Sequence, residues 1–425
     1  MGEIDPAGTA VAVVEMARAG RFAELAERFA PVLRAVVSAE TVRLAWLTEV
    51  TRNGAVRAVG TPAIEPAGDG LVRVSVPVEC ESGGLHLIMS VDGAGRLHGL
   101  RLVSGGTGGW EPPAYARPGR FTEHEVTIGE GPLAVGGTVS LPHGRRRRAG
   151  VVLLGGGGPI DRDGTSGANK PLKDLAWGLA GRGVAVARFD KVTHAHGRML
   201  TTPGFTVADE YVPHAVAAVR LLQRQPGVDP ARVFVAGHSL GGKVAPRVAA
   251  AEPSVAGLIL LAAEAQPMHH SAVRVIRYLA ALAPDLAGSA VEEITRQAAL
   301  VDGPDLTAAT PAGLLPLGLP GSYWLDLRDY DPVSTAAAAG RPMLVLQGAR
   351  DYQVTVDDDL ARWRAGLAGP PRVTFRVYPA ANHLFFPGSG RSTPAEYEPP
   401  QHVDPRVVAD ITRWLRPGLA GLLRH

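Results

Sequence analysis

The sequence predicts an α/β protein in two parts. Residues 1–103 form a small α+β domain, residues 104–117 a linker, and residues 118–425 a mostly parallel sheet with helices on both faces. Three observations lead there. From about residue 118 onward, apolar runs of strand length alternate with helical stretches, as in a parallel sheet buried on both sides. One run, 231–236, passes through Gly237-His238-Ser239-Leu240-Gly241 into a helical stretch at 243–250, giving a strand, a tight turn and a helix. Before residue 103, amphipathic segments precede period-two segments, the pattern of helices backing an antiparallel sheet.

In chain order, 10–18, 22–29 and 39–47 read as amphipathic helices. The segments 56–60, 71–78, 84–91 and 97–102 read as strands, with Asp92-Gly93-Ala94-Gly95 as a turn. Helices followed by a curved sheet resemble domains of the nuclear-transport-factor-like or cystatin-like type. That resemblance implies dimerisation, shielding of an active site or a wall of one. The Gly/Thr/Pro-rich stretch 104–113 is the linker. Segments 123–128 and 133–141 are expected as antiparallel edge strands, and Arg145 to Arg148 as a solvated loop. The strand 149–154 ends in Gly155-Gly156-Gly157-Gly158, and further strands follow at 255–263, 341–347 and 372–378, then a terminal helix at 407–415. About 80 residues rich in Ala and Leu interrupt the alternation near 265–340, with helical stretches at 270–283 and 290–301. Such an insertion is expected to act as a lid over the Ser239 pocket.

The turn at 237–241 carries the chemistry. A serine on a tight strand-to-helix turn takes strained backbone angles, and flanking glycines leave room for the neighbouring backbone. The turn exposes the Ser239 hydroxyl and leaves the Leu240 amide at a helix N-terminus, where it is suited to stabilise an oxyanion. Serine needs a histidine base and an acid to hold the imidazole. Asp351 follows the strand 341–347 and His383 follows the strand 372–378, so both fall at the C-terminal sheet edge, where catalytic groups collect. The order Ser, Asp, His is that of α/β-hydrolases. Glu264, at the end of another strand, is the rival acid. The glycine run is expected to supply a second oxyanion donor, the Gly157 amide, with Gly156 as the fallback. It has neither P-loop nor dinucleotide-site spacing, so no cofactor is expected. His238, Tyr323, Trp324 and Tyr352 are candidate substrate-binding residues, as are His269 and His270. The two adjacent histidines make no metal site on sequence grounds, since they point about 100° apart on a helix and no spaced carboxylate joins them. Asp161, Arg162 and Asp163 read as a structural network around the glycine loop.

The stretches 155–164, 169–180, 184–191, 315–327, 347–354 and 382–385 resemble those of a family of bacterial serine esterases, and the similarity spans about residues 118–420. The resemblance implies a carboxylesterase-type hydrolase with its triad on Ser239, Asp351 and His383. Many relatives carry His or Ala at the position of Gly155 and Ser at that of Gly157, so the oxyanion loop of this chain is unusually bare.

With a formal net charge of only +2, the chain has no electrostatic footprint for nucleic acid or a membrane surface. Its single cysteine, Cys80, rules out an intramolecular disulfide and a structural Cys-based zinc site. No secretory pattern and no apolar run of membrane-spanning length is present, so a cytoplasmic location is expected. The expected partner is a small-molecule ester or acyl substrate, with a homodimer left open. Besides ester hydrolysis, the same residues allow acyl transfer, lactone hydrolysis or cyclisation, and a hydrolase fold can also serve as a non-catalytic binding protein.

Overall fold

The computed structural model describes residues 5–34, 37–67, 70–81, 83–105, 110–144, 146–282, 288–367 and 373–416. The N-terminal strands are β1 (Val56–Val59), β2 (Ala63–Pro66), β3 (Leu71–Cys80), β4 (Gly83–Asp92) and β5 (Leu97–Gly105). They pair antiparallel in the order β1-β3-β4-β5, with β2 on a further stretch of β3. Alternation sorts the side chains. Val74, Val76, Val78, Leu85, Leu87 and Met89 point to one face and pack on Val13 and Val14 of helix Pro6–Arg18 and on Trp46. Strand β2 was not expected. All four of its residues are exposed, so it carries no buried alternation to read.

The second sheet comprises β6 (Phe121–Ile128), β7 (Val135–Pro142), β8 (Arg148–Leu154), β9 (Ala185–Phe189), β10 (Val228–His238), β11 (Leu258–Leu261), β12 (Met343–Gly348) and β13 (Val373–Tyr378). Its order is β13-β12-β11-β10-β8-β9-β7-β6. At one edge β7 pairs antiparallel with both β6 and β9, and the other neighbours pair in parallel. β9, β11 and β12 are buried along their whole length, which explains why they read as unbroken apolar runs. Helices Val207–Gln223 and Leu240–Ala251 cover one face, and helices Pro171–Ala180 and Pro405–Trp414 the other.

Part of the expected linker, 106–109, lies outside the described residues. By Trp110 the chain already packs on helix Pro171–Ala180, which covers the second sheet: its indole donates to Asp174 at 2.8 Å and meets Trp177 edge-on at 5.0 Å. Of the basic run, Arg145 lies outside the described residues, Arg146 and Arg147 are exposed, and Arg148 donates to the carbonyls of Pro142 and His143. The insertion contains helices Met268–Leu282, Gly288–Asp302 and Gly321–Arg328. No described helix is long and apolar enough to cross a membrane.

Candidate active site

Strand β10 delivers Ser239 to the sheet's C-terminal edge at φ 55° and ψ −121°, a conformation that costs a non-glycine residue strain. The turn is over-determined by its neighbours. A Cβ on Gly237 would lie 2.2 Å from the Gly241 carbonyl oxygen, and one on Gly241 would lie 2.4 Å from the Gly155 carbonyl oxygen. The Ser239 amide donates to the Leu261 carbonyl at 2.9 Å, tying the turn to β11. Leu240 opens helix Leu240–Ala251, so its amide is one of the first-turn donors without an intrahelical acceptor.

Asp351 and His383 meet across 32 residues of chain, with His383 Nδ1 2.8 Å from Asp351 Oδ2. The carboxylate is fully buried, and its other oxygen accepts from the amides of Gln353 and Val354 at 2.8 and 2.9 Å. Gln347 Nε2 adds a bond to Oδ2 at 3.1 Å. With Asp351 ionised and accepting, Nδ1 carries the ring proton and Nε2 is left as the basic nitrogen. Glu264, the rival acid, is engaged elsewhere. It lies 3.5 Å from buried Lys243, and burial pushes its carboxyl up despite that cation.

Ser239, His383, Gly156, Gly157 and Leu240 line one cavity of about 710 Å³. Met268, Val275 and Ile276 from the inserted helix Met268–Leu282 form part of its wall, and Glu49, Arg101 and Leu102 bring the N-terminal region to it. His238 is also on the wall. Its Nε2 donates to the His383 carbonyl at 2.9 Å, and its ring lies 4.7 Å from that of His383. Burial, with His383 alongside, pushes its pKa down to about 3, so the ring is neutral.

Three sequence expectations need correction. Tyr323 and Trp324 do not line the cavity. Both are buried core residues, with the Tyr323 hydroxyl donating to Glu210 at 2.6 Å and the Trp324 indole to the Pro316 carbonyl at 3.2 Å. Tyr352 stacks on Tyr278 at 4.8 Å, behind the wall. The paired histidines do find a carboxylate: Asp302, at the end of the next helix, lies 2.7 Å from His269 Nε2 and 2.8 Å from His270 Nε2. The three could hold a metal ion by spacing. Sequence distance hid that contact, because Asp302 is 33 residues from His269. Near the glycine loop, Arg162 pairs with Asp190, and Asp163 pairs with Lys170 and Arg188, as expected of a structural network.

A family model described as "Serine aminopeptidase, S33" matches residues 165–313. Esterase EstD of Thermotoga maritima is 35% identical over 336 residues, covering 79% of this chain and 77% of that one. The chain belongs to the EstD esterase family. This esterase is a serine ester hydrolase of the α/β-hydrolase fold. Among solved structures, it is similar to an esterase of Pyrococcus furiosus at 17% identity and TM-score 0.45, covering 73% of this chain and 98% of that one. A hyperthermophilic esterase of Pyrobaculum calidifontis gives 18% identity and TM-score 0.44, over 69% and 85%. Sequence reasoning missed the wall residues Glu49, Arg101 and Leu102 of this esterase, which no local motif marks.

Proposed function

We propose that Ser239, His383 and Asp351 form the catalytic triad of this esterase, with the Leu240 and Gly157 amides as its oxyanion hole. The observation that carries the reading is the buried 2.8 Å contact between Asp351 and His383 in the wall of the cavity that holds the strained Ser239. His383 Nε2 takes the Ser239 proton as Oγ attacks the ester carbonyl, and the two amides hold the resulting oxyanion. The tetrahedral intermediate collapses, the alcohol leaves with the proton from His383, and an acyl–Ser239 ester remains. Water, deprotonated by His383, attacks that ester and releases the acid.

The substrate we infer is a small carboxylic ester with an apolar portion, which Met268, Val275 and Ile276 contact on the inserted helix, acting as a lid. Residues 1–103 are an accessory domain that completes the wall, and residues 118–425 the hydrolase domain. A cytoplasmic location fits a chain whose single cysteine is a buried free thiol.

The test exposes wild type and Ser239→Ala to a fluorophosphonate serine probe and to p-nitrophenyl esters of increasing acyl length. Labelling and turnover in wild type, both lost in the variant, are expected. Undiminished labelling of Ser239→Ala would sink the assignment.

A further inference from the structure

Resting on the oxyanion-hole reading above, we propose that Lys191 and Tyr211 are positioning residues that clamp the Gly156 carbonyl and thereby aim the Gly157 amide into the oxyanion hole. Lys191 Nζ donates to the Gly156 carbonyl oxygen at 3.0 Å, and Tyr211 Oη donates to the same oxygen at 2.7 Å. The two donors also bond each other, with Nζ 2.8 Å from Oη. Both side chains are buried, and neither lines the Ser239 cavity, whereas Gly156 and Gly157 do. A Cβ on Gly156 would sit 3.3 Å from Ser239 Cβ, so this peptide passes directly beside the nucleophile.

The direction follows from peptide geometry. The Gly156 carbonyl and the Gly157 N–H belong to one planar trans unit and point opposite ways. Drawing the oxygen out of the cavity toward Lys191 and Tyr211 turns the hydrogen toward it. Four consecutive glycines have few other constraints on their dihedrals, so a bare loop needs such an external anchor. Polarisation acts in the same direction. An amide whose oxygen accepts from an ammonium and a hydroxyl becomes a stronger donor at its own N–H.

The clamp is itself held. Glu210 pairs with Lys191 at 3.0 Å and accepts from Thr193 Oγ1 and from the Tyr323 hydroxyl, each at 2.6 Å. Tyr323 comes from helix Gly321–Arg328, so the insertion reaches the oxyanion loop through Glu210 rather than through the cavity. Burial pushes the Lys191 ammonium down, and the Glu210 charge opposes that shift.

Lys191→Met and Tyr211→Phe test the proposal, with kcat, KM, the pH profile and inhibition by a trifluoromethyl ketone. Ser239 adds to that ketone, and its oxyanion occupies the hole. We expect kcat to fall about tenfold in Tyr211→Phe and about 100-fold in Lys191→Met, against the 10²–10³ lost when a whole donor is removed. Ketone affinity should fall in parallel, while KM stays within about twofold and the pH profile keeps its shape. Tyr211→Phe keeps the Lys191–Glu210 pair and decides the matter if Lys191→Met, which strands a buried carboxylate, fails to fold. Overturning results are kcat and ketone affinity both unchanged in Tyr211→Phe, or a KM that rises in step with the loss of kcat. An inert wild type overturns the esterase reading as well; an active, Ser239-dependent wild type with fully active variants overturns the clamp alone.

Discussion

His238 immediately precedes the serine in the chain and its ring lies 4.7 Å from that of His383, yet its chemistry separates it from both. Its Nε2–H bond to the His383 carbonyl holds the backbone that carries the base, and burial keeps the ring that makes it neutral. Burial lowers its pKa from 6.5 to about 3, so between those values the unfolded chain binds a proton that the folded chain refuses. Stability credited to this residue is therefore complete above pH 6.5 and drains away as pH falls toward 3. His238→Gln keeps an N–H donor and removes the titration. Relative to that variant, wild type should lose about 1.4 kcal/mol of unfolding free energy per pH unit below 6.5, read from urea unfolding at pH 7 and pH 5. Parallel pH curves for the two proteins would refute it.

The strand–turn–helix unit around Ser239 is the element on which the site depends, and its weak point is steric. Gly241 touches the backbone of β8 and its loop, with room for no side-chain atom: a Cβ would meet the Gly155 oxygen at 2.4 Å and the Leu154 oxygen at 2.8 Å. Both partners are main chain, so neither can rotate away. Gly241→Ala should cost about 3 kcal/mol or more, seen as a lower urea midpoint, and should reduce kcat even where the protein stays folded, because the displaced loop carries Gly157. A variant with wild-type midpoint and kcat would show that helix Leu240–Ala251 is free to shift. This unit was legible in the sequence because its requirements are local: glycines where backbones touch, an apolar run before, helical residues after. Asp351 and His383 were legible as loop residues following two strands of the sheet, β12 and β13. The Tyr323 hydroxyl on Glu210, the Lys191 bond to Gly156 and the Asp302 bridge to His269 and His270 were not. Each joins side chains from separate elements, and neither periodicity nor composition encodes which loop meets which helix.

At the scale of the whole molecule, the two sheets share one cavity. β3 of the N-terminal sheet reaches the short helix Val192–Ala195, which follows β9, through Arg73, whose Nη2 donates to the His194 carbonyl at 2.9 Å. Arg101 of β5, paired with Ile88 across the sheet, reaches the cavity that holds Ser239. The N-terminal sheet therefore packs one face on its own core and brings Arg101, on the other, to the cavity. Arg101 is exposed and makes no ion pair among the described residues; the charges that act on it are Asp161 and the neighbouring Arg73. Its long aliphatic stem and guanidinium are suited to cover the distal part of an ester rather than the reacting carbonyl. A short ester bound at Ser239 would not extend that far, whereas a long one would. Arg101→Ala should thus raise KM for a p-nitrophenyl decanoate about three- to tenfold and leave kcat and KM for the acetate within about twofold, since losing one partly exposed contact removes on the order of 1 kcal/mol. Equal effects on acetate and decanoate would mean that the N-terminal sheet supports the catalytic residues instead of forming a distal wall, and no effect on either would remove Arg101 from the substrate's path.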